Sequence, residues 1–389
     1  MIVARTGNEA MAEAMRQVNP DVVAAYPITP ATEIVQIFSS FVHDGLVDTK
    51  FVAVESEHSA MSACIGAAAA GARVMTGTAS QGLALMHEML FIAAALRLPI
   101  VLCVVNRSLS APINIHCDHS DTLASRDSGW IQIYTENSQE AYDSVIQAVK
   151  ISERALLPVM VTIDGFIISH GMERIDILDD REVREYLGEP PKRPNLLDID
   201  KPITMGPLDL QDYFFEHKRS EIEGMNTSLP HIEAVAREYK ERFGRYYPVI
   251  DTYRIDDAEV AVMAMGSAAG TAKVVVDRMR EKGKKVGLIR MRVVRPFPKN
   301  YLKELIQGFA AVGIMDRSDT LSTLGGHLYV ETRAVLYRAS HQPPIKNYIY
   351  GLGGRDISLE EIEEIFEEVL EIGKSGKVTE PVVYKGVRE

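Results

Sequence analysis

The alternation of short β-branched runs with longer helical segments constrains the fold of this chain more than any other feature. Between about residues 5 and 164, candidate strands fall at 21–26, 50–55, 72–77, 99–106, 130–135 and 157–164, with helical stretches at 9–18, 31–42, 59–70, 81–95 and 139–154. Runs such as "PIVLCVVN" and "LPVMVTID" are apolar throughout rather than on every second residue, the pattern of strands buried on both faces. Strands of that kind alternating with helices make a doubly wound parallel sheet, an α/β fold. A second series begins near 258, with strands "AEVAVMAMG", "KVGLIRMRV", "AAVGIMD" and "KNYIYGLGG", helices at 271–282, 300–307 and 359–372, and a charged tail. Between the series, about 178–251 is first rich in proline and charge and then helical ("LPHIEAVAREYKERFGRYY"), and reads as a linker or an arm over a neighbouring subunit. The expected organisation is two doubly wound domains, 1–255 including that arm, and 256–389.

Composition narrows the function. The formal net charge of -12 comes from acids spread along the chain, which argues against a nucleic-acid-binding surface. No apolar stretch reaches bilayer length and the first residues lack a signal-peptide pattern, so a cytoplasmic protein without membrane contact is expected. The three cysteines, Cys64, Cys103 and Cys117, suit a reducing compartment and rule out a disulfide framework. They are also too few for a cluster held by four thiolates, so any iron–sulfur chemistry needs other chains.

In open α/β sheets ligands lie beyond the carboxyl ends of the strands. Those ends deliver Tyr26 and Thr29; Glu55, Ser56 and Glu57; Thr76, Thr78 and Ser80; and Asn106 and Arg107. Thr29 sits in "YPITP", where Pro27 and Pro30 restrict the backbone on either side, as a rigid turn requires or as a fixed hydroxyl would. Glu57 reads either as a first-turn carboxylate, worth about 0.3–1 kcal/mol against the helix dipole, or as an acid kept protonated by apolar surroundings to donate to a ligand nitrogen. Arg107 reads as a salt-bridge partner or as a bidentate holder of a carboxylate. "HCDH", His116 to His119, crowds possible metal ligands, yet no second ligand pair supports a zinc site. "MGSAAGTAK" is a glycine turn that matches neither a P-loop nor GxGxxG, and "GLGG" at 351–354 is a weaker signal still.

Taken together, "GNEAMAEAM", "AAYPITPATE", "VESEHSAMSACIGAAAAGARVMTGTASQGLALMHE", "LRLPIVLCVVNRSLSAPINIHCDHSD" and "DGFIISH" resemble the α subunits of pyruvate:ferredoxin oxidoreductases, in the 2-oxoacid:ferredoxin oxidoreductase superfamily. The likeness continues through "ERFGRYYPVIDTYRIDDAE", "RPFP" and "GLGGRD" and so covers nearly the whole chain. It implies the pyrimidine-binding domain of thiamine diphosphate enzymes, followed by a transketolase C-terminal-like domain with a structural and assembly role. The family usually holds the diphosphate and Mg²⁺ through a GDG motif, which this chain lacks. The resemblance therefore implies thiamine diphosphate shared with a β subunit, Mg²⁺ and [4Fe-4S] clusters in partner subunits, and β, γ and δ chains completing the complex. Glu57 matches the glutamate that hydrogen-bonds the aminopyrimidine ring, Thr29 and Arg107 match residues that hold the substrate carboxylate, and Tyr26 lines the same pocket. The implied reaction is reversible, coenzyme-A-dependent oxidative decarboxylation of pyruvate to acetyl-CoA and CO₂ with reduction of ferredoxin. The polar loop "SAPINIHCDHSD", without a large aromatic, favours a small 2-oxoacid over the branched-chain alternative.

Overall fold

The computed structural model describes residues 1–388. Its larger sheet has seven strands in the spatial order Val293–Arg295, Ile131–Tyr134, Val159–Asp164, Ile100–Asn106, Val74–Thr78, Val22–Ala25 and Lys50–Ala53. All run parallel except Val293–Arg295, which is antiparallel to its neighbour. Because side chains alternate between faces, Val101, Cys103 and Val105 join a core formed with helices Gly7–Val18, Thr32–His43 and Ser138–Ala155. Ile100, Leu102 and Val104 point the other way, into a core shared with helices Glu57–Ala69 and His87–Ala95. Both faces are therefore covered, which is why these strands carry no polar alternation. Capping is local and legible: Thr6 and Glu9 form a capping box at Gly7–Val18, and Asn137 caps Ser138–Ala155.

The second sheet has six strands, Val382–Tyr384, Ile345–Ile349, Ala311–Asp316, Val260–Ala264, Val286–Met291 and Ile250–Tyr253 in spatial order, with only Ile250–Tyr253 antiparallel. Several elements depart from the sequence reading. Ile250–Tyr253 begins inside the stretch read as the arm, and the charged tail supplies Val382–Tyr384. The run "KVGLIRMRV" is not one strand: it breaks after Met291, and Val293–Arg295 leaves to pair with Ile131–Tyr134 in the first sheet. Helix His327–Leu336 comes after a polar Gly-Gly turn that hid its start, and the stretch read as one helix over 81–95 is two, Ser80–Leu85 and His87–Ala95, meeting at Met86. The arm carries three helices, Asp180–Leu187, Phe214–Asn226 and Leu229–Phe243, separated between the first two by a stretch with exposed Leu197, Ile199 and Leu208. Among the described residues no helix is long and apolar enough to cross a membrane.

Buried charge joins the two sheets. Glu140, on Ser138–Ala155, accepts from Arg290 and Arg292 at 2.7 Å each, and all three side chains are inaccessible or nearly so. Burial opposes the charge on Glu140, but the two guanidiniums outweigh it and hold the carboxyl below its usual range. Such a pair contributes little net stability when complete, yet breaking it leaves uncompensated buried charge.

Candidate functional site

The order of the first sheet puts its topological switch point between Val22–Ala25 and Val74–Thr78: the chain continues from the former to Lys50–Ala53 on one side, then crosses to the other. The crevice beyond that point is where open α/β sheets bind ligands. Tyr26 and Thr29 leave the first of these strands, Ala79 and Ser80 the second, and Glu57 opens the helix that comes after Lys50–Ala53.

Glu57 is 6 % exposed and its carboxyl makes no hydrogen bond or ion pair among the described residues. It packs over Gly82 on helix Ser80–Leu85. A methyl placed on Gly82 would lie 2.7 Å from Glu57 Oε1 and 2.4 Å from Thr78 Oγ1, far inside contact distance. The Thr78 hydroxyl is fully buried and has no partner. The bare glycine thus makes room for the Glu57 carboxyl and the Thr78 hydroxyl themselves, neither of which has a partner among the described residues. Buried polar groups are seldom left unpaired, so two of them side by side mark this as a candidate ligand site.

Thr29 is held rigidly, as its flanking prolines suggest. Ile28 packs against the core and Pro30 is buried with its carbonyl accepting from Asn8 Nδ2 at 3.0 Å, so the turn is anchored at both ends. The Thr29–Pro30 peptide is cis. Arg107 Nη1 donates to the Thr29 carbonyl at 2.9 Å, not to its hydroxyl, and Thr29 itself is exposed. Arg107 Nε donates to the Asn114 carbonyl at 2.7 Å, leaving Nη2 without a protein partner among the described residues. Burial lowers the Arg107 pKa, partly offset by the Asp121 carboxylate; a guanidinium nevertheless stays charged. Thr29 and Arg107 are therefore brought together, with a cationic edge to spare. Tyr26 stands at the rim, 38 % exposed.

Asp121 was not singled out from the sequence. It is 2 % exposed and accepts four short hydrogen bonds, Oδ2 from the amides of Ser80 and Arg107 at 3.1 and 3.0 Å and Oδ1 from Asn106 Nδ2 and the Thr122 amide at 2.8 and 2.7 Å, with the Thr122 hydroxyl a longer fifth donor to Oδ1 at 3.5 Å. Burial pushes its carboxyl up to about 6 against the pull of these donors.

The remaining residues of "HCDHSD" are structural. Asp118 Oδ2 accepts from Ser108 Oγ at 2.6 Å and from the Gly353 amide at 3.1 Å, and Asn114 Nδ2 donates to the Gly353 carbonyl. The "GLGG" turn is thus the surface on which the loop after Arg107 rests, and His116 is exposed beside it. Cys117, His119 and Asp164 place ligand-type atoms within 4.8 Å of one another. Without an ion, burial and the neighbouring acids hold the Cys117 thiol well above its usual pKa. Asp164 is already met by His119 Nε2 at 2.8 Å, the Ser267 amide at 3.0 Å and Arg317 at 3.2 Å. Although burial opposes it, those partners keep the Asp164 carboxyl ionised. The same carboxylate sits against Gly266, whose φ of 61° lies in the left-handed region that favours glycine, so the "MGSAAGTAK" turn receives an internal carboxylate.

The result is an α/β chain built on two large sheets and a two-stranded one, of the thiamine-diphosphate-enzyme class in architecture, with its candidate site at the switch point of the first sheet. Residues 13–237 match the family described as "Pyruvate flavodoxin/ferredoxin oxidoreductase, thiamine diP-bdg", and residues 258–362 match "Pyruvate:ferredoxin oxidoreductase core domain II". The chain belongs to the pyruvate:ferredoxin oxidoreductase family. It is 51% identical over 389 residues to the pyruvate synthase subunit PorA of Thermotoga maritima, covering 100% of this chain and 98% of that one. It is 41% identical over 380 residues to the ketoisovalerate oxidoreductase subunit VorA of Pyrococcus horikoshii, covering 97% and 96%. A solved 2-oxoglutarate:ferredoxin oxidoreductase from Magnetococcus marinus shares the fold with a TM-score of 0.74 at 19% identity, over 95% of this chain; this chain spans 65% of that one.

Proposed function

We propose that this chain is the α-type subunit of a cytoplasmic, multisubunit pyruvate:ferredoxin oxidoreductase, which converts pyruvate and coenzyme A to acetyl-CoA and CO₂ while reducing ferredoxin, reversibly. The observation that carries the reading is the Glu57 carboxyl, buried and unengaged over Gly82 at the switch point. Those surroundings fit thiamine diphosphate: a free carboxyl for a ring nitrogen, held over a bare glycine beside an unsatisfied Thr78 hydroxyl. When bound, the cofactor supplies the electron sink that decarboxylation of a 2-oxoacid needs. This chain's own residues supply position and field. Glu57 holds the aminopyrimidine, the Arg107 edge and the Thr29 hydroxyl orient the substrate carboxylate, and Tyr26 walls the pocket. Without a GDG motif or enough cysteines, the chain leaves diphosphate, Mg²⁺ and [4Fe-4S] clusters to partner β, γ and δ subunits. It divides into a cofactor-facing unit, 1–255, and an assembly unit, 256–389. The greater likeness to the pyruvate-type relative than to the ketoisovalerate-type one favours pyruvate over a branched-chain 2-oxoacid.

The test is anaerobic. The complex recovered with this chain is assayed for coenzyme-A-dependent reduction of an electron acceptor with pyruvate, 2-oxobutyrate, 2-oxoisovalerate and 2-oxoglutarate, with and without Glu57→Gln. Pyruvate preference that vanishes with Glu57→Gln supports the reading; preference for 2-oxoisovalerate moves the substrate; full activity of Glu57→Gln removes the role given to Glu57.

A further inference from the structure

We propose that Asp121 is a positioning residue that ties the substrate side of the site to the cofactor side, a reading that rests on the function proposed above. Its Oδ2 atom receives the Arg107 amide, from the loop that carries the substrate-holding guanidinium, and the Ser80 amide, from the turn that opens the helix bearing Gly82. These two segments leave different strands, Ile100–Asn106 and Val74–Thr78, and a second direct link between them is the Ser80 hydroxyl, which donates to the Ser108 carbonyl at 2.6 Å.

The Ser80 turn needs such a hold. Its φ of 42° lies in the left-handed region, which a side chain other than glycine enters only when its surroundings impose it. From that residue the backbone proceeds two steps to Gly82, so the Ser80 turn decides how closely the helix approaches Glu57. The Arg107 amide, on the other side, is where the chain leaves the sheet, and its placement sets where Nη1 meets Thr29 and where Nη2 points.

Only an ionised carboxylate satisfies this arrangement. Two oxygens with about four acceptor positions meet four short donors, two on each oxygen, with the Thr122 hydroxyl a longer fifth at Oδ1. The amide of asparagine offers one accepting oxygen, so either Ser80 and Arg107 or Asn106 and Thr122 would face an NH₂ group. Aspartate is isosteric with asparagine, so the substitution changes hydrogen bonding and charge while leaving volume alone.

The experiment uses the intact complex carrying Asp121→Asn, beside Tyr239→Phe as a control that removes one buried hydrogen bond, to Asp143, away from the site. Three quantities are read: KM and kcat for pyruvate, inhibition by the non-reacting mimic oxamate, and the dissociation constant of thiamine diphosphate with Mg²⁺. Asp121→Asn is expected to raise the pyruvate KM, the oxamate inhibition constant and the thiamine diphosphate dissociation constant by about tenfold or more each, in a complex that still assembles. Tyr239→Phe is expected to lower the melting temperature while leaving all three within about twofold. Constants unchanged in Asp121→Asn, or shifted equally by Tyr239→Phe, would overturn the proposal. If Asp121→Asn does not assemble, Asn106→Ala, which removes one donor from Oδ1 but keeps the Thr122 amide and the Oδ2 contacts, is read by the same constants, with a several-fold rise expected and no rise overturning it. A wild-type complex inactive with pyruvate would instead remove the function proposed above, leaving Asp121 to stand or fall on thiamine diphosphate binding.

Discussion

Replacing Gly82 by alanine separates the stability of this fold from the geometry of its site. The added methyl would lie 2.4 Å from Thr78 Oγ1, 2.7 Å from Glu57 Oε1 and 2.9 Å from Glu57 Cγ, where ordinary contact begins near 3.4 Å. The Thr78 hydroxyl can turn away, since it has no partner to lose. Glu57 has to swing by something near an ångström. In energy the change is modest: alanine gains about 1 kcal/mol of helix propensity over glycine, and overpacking costs about 1–3 kcal/mol. The net loss is about 0–2 kcal/mol, a shift of a few degrees in the melting temperature. Catalytically it is large, because a displacement of about 1 Å in a positioned group costs on the order of 10²-fold. The expected result is a folded, assembled complex with a near-normal melt, thiamine diphosphate affinity lowered at least tenfold and turnover lowered about a hundredfold. Gly66→Ala, on the exposed face of helix Glu57–Ala69 with nothing within 4 Å of the new methyl, sets the propensity baseline and should stabilise by up to about 1 kcal/mol. Wild-type turnover and cofactor affinity in Gly82→Ala would refute the argument that Glu57 depends on the bare glycine.

Glu140→Gln leaves Arg290 and Arg292 buried against a neutral amide, and urea unfolding of the chain should show a loss of about 3–5 kcal/mol. His327 titrates in a pocket where burial first, then Arg126 and Arg295, lower its pKa from 6.5 to about 4. The folded state therefore binds its proton less readily than the unfolded state, so stability is undiminished above pH 6.5 and falls as pH drops towards 4, by up to about 3 kcal/mol. His327→Gln should flatten that acid limb, and an unchanged slope of stability against pH between 6.5 and 4 would contradict the assignment.

The site was legible to the extent that its residues sit at strand ends. Tyr26, Thr29, Glu57 and Arg107 were all reachable from the positions just beyond each apolar run, and their motifs carried the family resemblance. Asp121 and Asp164 were not: the first lay two residues past the "HCDH" run that looked like metal ligands, and the second closed a strand. Each matters through partners up to 153 residues away, Arg317 and Asp164 being the farthest pair. Nothing local distinguishes a carboxylate that will accept four hydrogen bonds from one that will face water.

By itself the sequence determined where most of the strands and helices of the two large sheets lie, because backbone propensity, capping and two-sided burial are written within a few residues of where they act. It also determined that this chain lacks the groups to bind a diphosphate-bound metal by GDG or a cluster by four thiolates. Tertiary structure alone decided which strands became neighbours, sending Val293–Arg295 to the first sheet and placing the switch point between Val22–Ala25 and Val74–Thr78. It also decided that the Arg107 cation would meet the carbonyl of Thr29 and that Gly82 would leave room for Glu57. Those outcomes depend on contacts between segments distant in the chain, where the energy of burial and of paired charge is settled only once the sheets have closed on each other.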